Sequence, residues 1–180
     1  MAATDPSAAV ARARDAVARA VRELAEASAR TEILAEYVPE RRVLGLPRAA
    51  RMTAIGPVWR LGVLLLDAEG RLYATGRVVR AERPARKSVI AESVAEHRAY
   101  RAAAVKGGIP EGATVVFDAA PLELEAGVLA EGRGPLVLAD GADGVVVGVR
   151  WNPSSADAVM PLEAYLAERV DLLAHPPQGA

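Results

Sequence analysis

Cysteine is absent from this chain of 180 residues, and that one omission removes disulfide frameworks, thiol nucleophiles, thiolate zinc sites and iron–sulfur clusters. Histidine occurs twice, too few for a histidine-rich metal cage. Phenylalanine occurs once and aromatic residues make up 4%, so the exposed rings on which single-stranded nucleic acid would stack are scarce. Lysine is nearly missing as well: 2 residues stand against 20 arginines and 39 alanines, a bias that reads as GC-rich bacterial coding rather than as function. Long apolar runs are lacking too. Val63 to Leu66 is typical of the longest, far short of the roughly 20 residues of a membrane span. The first residues carry an acid at Asp5 and no apolar h-region, so the expectation is no signal peptide and a soluble, cytoplasmic protein.

The hydrophobic fraction is 52%, but with 39 alanines among those positions only about 55 larger apolar side chains remain for a core. That suffices for one domain over 1–180, with an N-terminal helical segment at 7–38 and an α+β core at 52–175. The net charge of −1 hides a segregation. Residues 1–40 hold 5 basic and 7 acidic groups, 41–110 hold 14 and 5, and 111–180 hold 3 and 11, for net charges of −2, +9 and −8. A block at +9 attracts anions. The bland account sets the basic middle against the acidic last third, within one chain or across a dimer, and the near-neutral total argues against a dedicated nucleic-acid binder.

From Ser7 to about Tyr37 the composition is helical, with Val10, Val17, Val21, Leu24 and Ile33 or Leu34 in a narrow stripe that Pro39 ends. Residues 40–57 mix Arg, Pro and Gly without a period, which predicts an ordered loop with one short strand at Met52–Ile55. Val58–Leu66 and Arg71–Val79 read as a hairpin, joined by Asp67-Ala68-Glu69-Gly70 as a type I turn with glycine in the left-handed position. Trp59 falls in the first of these strands and is expected to be buried. A basic loop with Arg83, Arg86 and Lys87 follows, then a helix to Lys106 closed by Gly107-Gly108. Strands are predicted at Thr114–Asp118, Leu136–Ala139 and Val145–Trp151, and a helix begins at Pro161.

Reactive types gather in one stretch, with Ser88, Glu92, Ser93, Glu96, His97, Tyr100 and Arg101 close in sequence. Helical spacing sets Ser93 over His97 and His97 over Arg101. Glu96 and His97 point about 100° apart and make no simple dyad. Ser93-Val94-Ala95-Glu96 also matches a capping box, which would leave His97 solvated. Two readings therefore stand: Glu96, His97 and Ser93 as a catalytic group, or a structural helix start. Arg77, Arg80, Arg86 and Arg101, with Tyr100, are the candidate contacts for a small anionic ligand.

The order helix, hairpin (GVLLLDAEGRLYATGRV), arginine-rich loop and VAEHRAYRAAAVKGG resembles the first half of the cytidine deaminase family over residues 57–108. The resemblance implies a cytidine deaminase-like fold, with Ala95-Glu96 at the family's Ala-Glu, Glu96 at the proton-shuttle position and Gly108 near the closing glycine. Val94 stands where the zinc ligand belongs and no Pro-Cys-x-x-Cys follows, which excludes zinc deamination. A second resemblance covers most of the chain. VWRLGVLLLDAEGRLYATGRV, RAYRAAA and FDAAP are similar to a small actinobacterial family of unknown activity, some members of which carry the label "glutaminase". It implies an amidase that activates Ser88, Ser93 or a water with His97 or Glu96, since neither Ser-x-x-Lys nor a thiol is present.

Walker, GxGxxG and HExxH motifs are missing, and Asp140-Gly141-Ala142-Asp143-Gly144 reads as a hairpin turn rather than a calcium loop. The expected fold is α+β, with a mixed or antiparallel sheet of about five strands and three main helices packed on it. The expected function is a non-catalytic cytoplasmic binding domain with a basic face, homo-oligomeric, without metal or cofactor and without a membrane. The alternative is a metal-free, glutaminase-like amidohydrolase centred on Glu96 and His97.

Overall fold

The computed structural model describes residues 5–43, 46–83, 92–142, 144–152, 155 and 158–176. In chain order the elements are α1 (Pro6–Glu26), β1 (Glu32–Val38), β2 (Arg41–Val43), β3 (Leu46–Arg48), β4 (Arg51–Leu61), β5 (Leu64–Leu66), β6 (Leu72–Ala74), β7 (Arg77–Arg80), α2 (Glu92–Lys106), β8 (Thr114–Phe117), β9 (Ala120–Leu122), α3 (Ala126–Ala130), β10 (Leu136–Gly141), β11 (Gly144–Arg150), β12 (Val159–Pro161) and α4 (Leu162–Ala174). A mixed sheet of seven strands has the order β7-β8-β1-β4-β5-β6-β9, beside a three-stranded sheet β10-β11-β12 and a two-stranded ribbon β2-β3. Only the β1–β8 pairing is parallel among the described strands. The α+β class is as expected, and no described helix is long and apolar enough to cross a membrane.

The main sheet has seven strands where the sequence suggests about five, and glycine accounts for part of the difference. The run Val58–Leu66 is two strands, because Gly62 at φ +66° turns the chain so that Leu61 faces Leu64. A side chain at Gly62 would meet the Tyr165 hydroxyl at 2.3 Å. That hydroxyl donates to Leu61 O at 2.8 Å and accepts from Val63 N at 3.0 Å, pinning the reversal. The run Arg71–Val79 likewise breaks between β6 and β7. The predicted loop at 40–57 holds the β2–β3 ribbon and the first seven residues of β4.

The chain divides into two compact units, the first comprising 1–30, 59–74 and 120–180 and the second 31–58 and 75–119. In the first unit, Asp5 caps α1 by accepting from Ser7 N at 2.9 Å, with Pro6 opening the helix. A stripe of Ala9, Ala13, Ala16 and Ala20, widened by Val10, Val17 and Leu24, is buried with Leu61, Leu64, Leu66, Val149, Tyr165 and Leu166. Trp59 is buried as expected and its indole donates to Ala29 O at 3.2 Å. The reversal after β5 is held by Asp67. Its buried carboxylate accepts from Glu69 N, Arg71 N, Arg71 Nε and Tyr73 Oη at 3.1, 2.8, 2.6 and 3.2 Å. Gly70, at φ +81°, takes the left-handed position predicted for it.

The helical segment does not run to position 38. Helix α1 ends at Glu26, Ser28 turns left-handed at φ +49°, and Ala29 N returns to Leu24 O at 2.9 Å. This is a Schellman closure, with Ser28 N on Ala25 O at 3.0 Å. Residues 32–38 instead form β1, where Ile33, Leu34 and Val38 pack better on a pleated surface than on a helix.

In the second unit, β1 lies between β4 and β8, and β7 pairs with β8. Ala103 and Ala104 of α2 are buried with Met52, Ala35, Val79, Val115 and Phe117. Ala95 and Ala99, earlier in the helix, are solvent-exposed. Close approach continues at the helix end, where a side chain at Gly107 would lie 1.6 Å from Met52 O. The predicted closure at Gly107-Gly108 is present, with Gly108 at φ +87° and Ile109 N on Ala104 O at 3.1 Å.

Candidate functional site

Within the second unit, β7 and α2 bring the expected residues Arg77, Glu96 and Tyr100 together. The helical i, i+4 spacing sets Tyr100 one turn after Glu96, and its hydroxyl donates to Glu96 Oε1 at 2.6 Å. Arg77 Nη1 donates to the Tyr100 oxygen at 2.6 Å and to Glu96 Oε1 at 3.2 Å, and the guanidinium lies 5.2 Å from the Tyr100 ring centre. Arg77 Nε is also 3.5 Å from Asp118 Oδ2. Asp118 holds the left-handed region at φ +56°, which aspartate tolerates better than most residues. Tyr37, Tyr100 and Phe117 stack against one another with ring centres 4.9 to 6.0 Å apart, giving the polar cluster an aromatic floor.

The electrostatics follow from these contacts. The Glu96 carboxyl is held below its ordinary range, first by the Tyr100 hydrogen bond and next by that of Arg77. Tyr100 is pushed up, first by its bond to Glu96 and then by loss of solvent. One guanidinium is flanked by two carboxylates, so the cluster is locally neutral to negative and the charge of Arg77 is spent inside the unit. His97 is exposed and joins Arg77, Glu96, Tyr100 and Phe117 around a shallow depression of about 180 Å³.

The other sequence candidates fall elsewhere. Arg101 pairs with Glu82 and donates to Arg80 O at 3.3 Å, tying α2 to the segment after β7. Arg83 pairs with Glu111 at 3.2 Å. The Arg80 side chain is exposed, without an ion pair among the described residues. Ser93 belongs by its backbone to the first turn of α2, and Glu96 meets β7 and Tyr100 where a capping box would turn it back to residue 93. Ser88, Arg86 and Lys87 lie outside the described residues. No group of three or more His, Asp or Glu side chains that could hold a metal ion occurs among the described residues.

A second basic feature was missed in the sequence. In the β2–β3 ribbon Arg41 stands opposite Arg48 and Arg42 opposite Pro47, all exposed, with Leu46 71% exposed beside them. Like charges directly across a ladder repel unless an anion lies between or beside them. Arg51, also exposed, opens β4 three residues on. Among the described residues no carboxylate lies within ion-pair distance of Arg41, Arg42, Arg48 or Arg51. The legible signal was RRVLGLPR, two turn-forming residues inside an apolar tip with arginine on both flanks.

No protein family, curated protein or solved structure matches this chain.

Proposed function

We propose that the chain is a non-catalytic cytoplasmic interaction domain whose basic unit docks an anionic partner through the β2–β3 ribbon. The observation that carries this reading is the contrast between two sets of arginines. Arg77 and Arg101 are neutralised by Glu96, Asp118 and Glu82, whereas Arg41 stands opposite Arg48, and these two and Arg42 are exposed without a carboxylate partner among the described residues. The second unit holds 12 basic and 8 acidic residues, a net +4, and the first holds 10 and 15, a net −5. The charge segregation of the sequence thus follows the two units. On a polyglutamate column the protein should be retained at low salt and released as salt rises, and Arg41→Glu/Arg42→Glu/Arg48→Glu should elute early. Equal retention of this variant would remove the ribbon from the account.

One observation favours the amidohydrolase alternative: Glu96 and His97 border the same depression. The state of Glu96 opposes it. A carboxylate already accepting two hydrogen bonds and held below its ordinary range is a poor base near neutral pH. Ammonia release from glutamine that is abolished by both His97→Ala and Glu96→Gln would establish the alternative and displace the first reading.

A further inference from the structure

We infer that the anionic partner is a second copy of this chain, whose first unit offers a groove that accepts the β2–β3 ribbon. This rests on the reading above and names its occupant. Two adjoining cavities of about 350 and 450 Å³ share Arg14, Gly70 and Leu124 and run between α1, the Asp67–Gly70 turn and the segment after β9. Their floor is apolar, from Val17, Val21, Leu72, Leu122 and Leu124. Their edge carries the exposed carboxylates of Glu69, Glu123 and Glu125.

Of the two cations at this groove only Arg71 is neutralised, and Arg14 keeps its charge and offsets one of the carboxylates. Arg14 donates to Leu124 O at 2.7 Å, and Arg71 is bound by Asp67 at 2.6 Å and Glu69 at 3.2 Å. Glu123 and Glu125 have no cationic partner among the described residues. The groove therefore presents apolar floor and unspent negative charge, and the ribbon presents the reverse: an exposed Leu46 between unspent Arg41, Arg42 and Arg48. A phosphate backbone would satisfy the arginines but not Leu46, which favours a protein groove over nucleic acid. Strand β9 ends the seven-stranded sheet, and Pro121 at its centre lacks an N–H for strand addition. The contact is accordingly made by side chains.

The test uses two opposite charge reversals in the full chain, Arg41→Glu/Arg48→Glu and Glu123→Arg/Glu125→Arg, with sedimentation velocity as the readout and thermal melts to confirm folding. The wild type should self-associate at low salt and dissociate as salt rises. Each variant alone should weaken association by about tenfold or more. An equimolar mixture of the two should associate again, because each supplies the charge that the other has inverted. Leu46→Asp, which changes the ribbon without touching its arginines, should also weaken association. A wild type that stays monomeric, a variant that associates like wild type, or a mixture that stays apart overturns the inference. A monomeric wild type that still binds polyglutamate through Arg41 and Arg48 overturns the second copy alone and leaves the proposed function standing.

Discussion

Backbone approaches at single glycines set the sharpest expectations at the residue scale. Gly107→Ala would place a methyl 1.6 Å from Met52 O, and Gly76→Ala one 2.1 Å from Phe117 O. Backbone oxygens cannot yield as a flexible side chain would, so each change should cost about 3 kcal/mol or more in urea unfolding. Gly127→Ala in α3 meets nothing within 4 Å and should be neutral or stabilising by up to about 1 kcal/mol. Glu96 makes a smaller, pH-dependent contribution. Its folded-state pKa is lowered by Tyr100 and Arg77, so the stability it adds is present above the ordinary carboxylate value and lost as pH falls through the lowered one. The stability difference between wild type and Glu96→Gln should therefore narrow from pH 7 to pH 3. Burial of Trp59 and the turn at Asp67–Gly70 were legible in the sequence, because an apolar strand and an Asp-x-x-Gly turn are local signals. The partners of Arg77 and Arg101 were not, because Glu96, Asp118 and Glu82 reach them only once β7, β8 and α2 have packed.

Helix α1 gives the clearest test at the scale of the element. Its closure puts Ser28 at φ +49°, a position that glycine adopts without steric cost. Ser28→Gly should raise stability by about 0.5 to 1 kcal/mol, read as a higher melting temperature. A lower one would mean that Ser28 supports its neighbours in some other way. The helices beginning near Ser93 and Pro161 were found from composition and periodicity, as were β8, β10 and β11. Strands β5 and β6 fall within the predicted hairpin, but β9 and β12 were not found, since three residues are too short to show a period and these strands exist through their neighbours. The β2–β3 ribbon escaped for a further reason: its Arg41–Arg48 opposition opposes pairing, so charge statistics there resemble a loop. Arg48→Glu should turn that repulsion into an attractive cross-strand pair. The variant should melt no lower than wild type yet lose retention on polyglutamate, which separates binding from folding.

For the whole molecule, the separation of charge into a unit at +4 and a unit at −5 is the feature from which the functional account is built. Net charge alone would predict only that any lost arginine weakens binding to a polyanion. Binding is assigned more narrowly, to the ribbon arginines, whose charge no described residue of the unit consumes. The deciding measurement is therefore the affinity for polyglutamate, at one fixed salt concentration, of Arg41→Glu/Arg48→Glu against the charge-matched Arg19→Glu/Arg22→Glu on the exposed side of α1. Binding lost by about tenfold or more in the ribbon variant and nearly kept in the α1 variant is the predicted result. Equal losses in the two would contradict it and reduce the ribbon to one patch of positive charge among many.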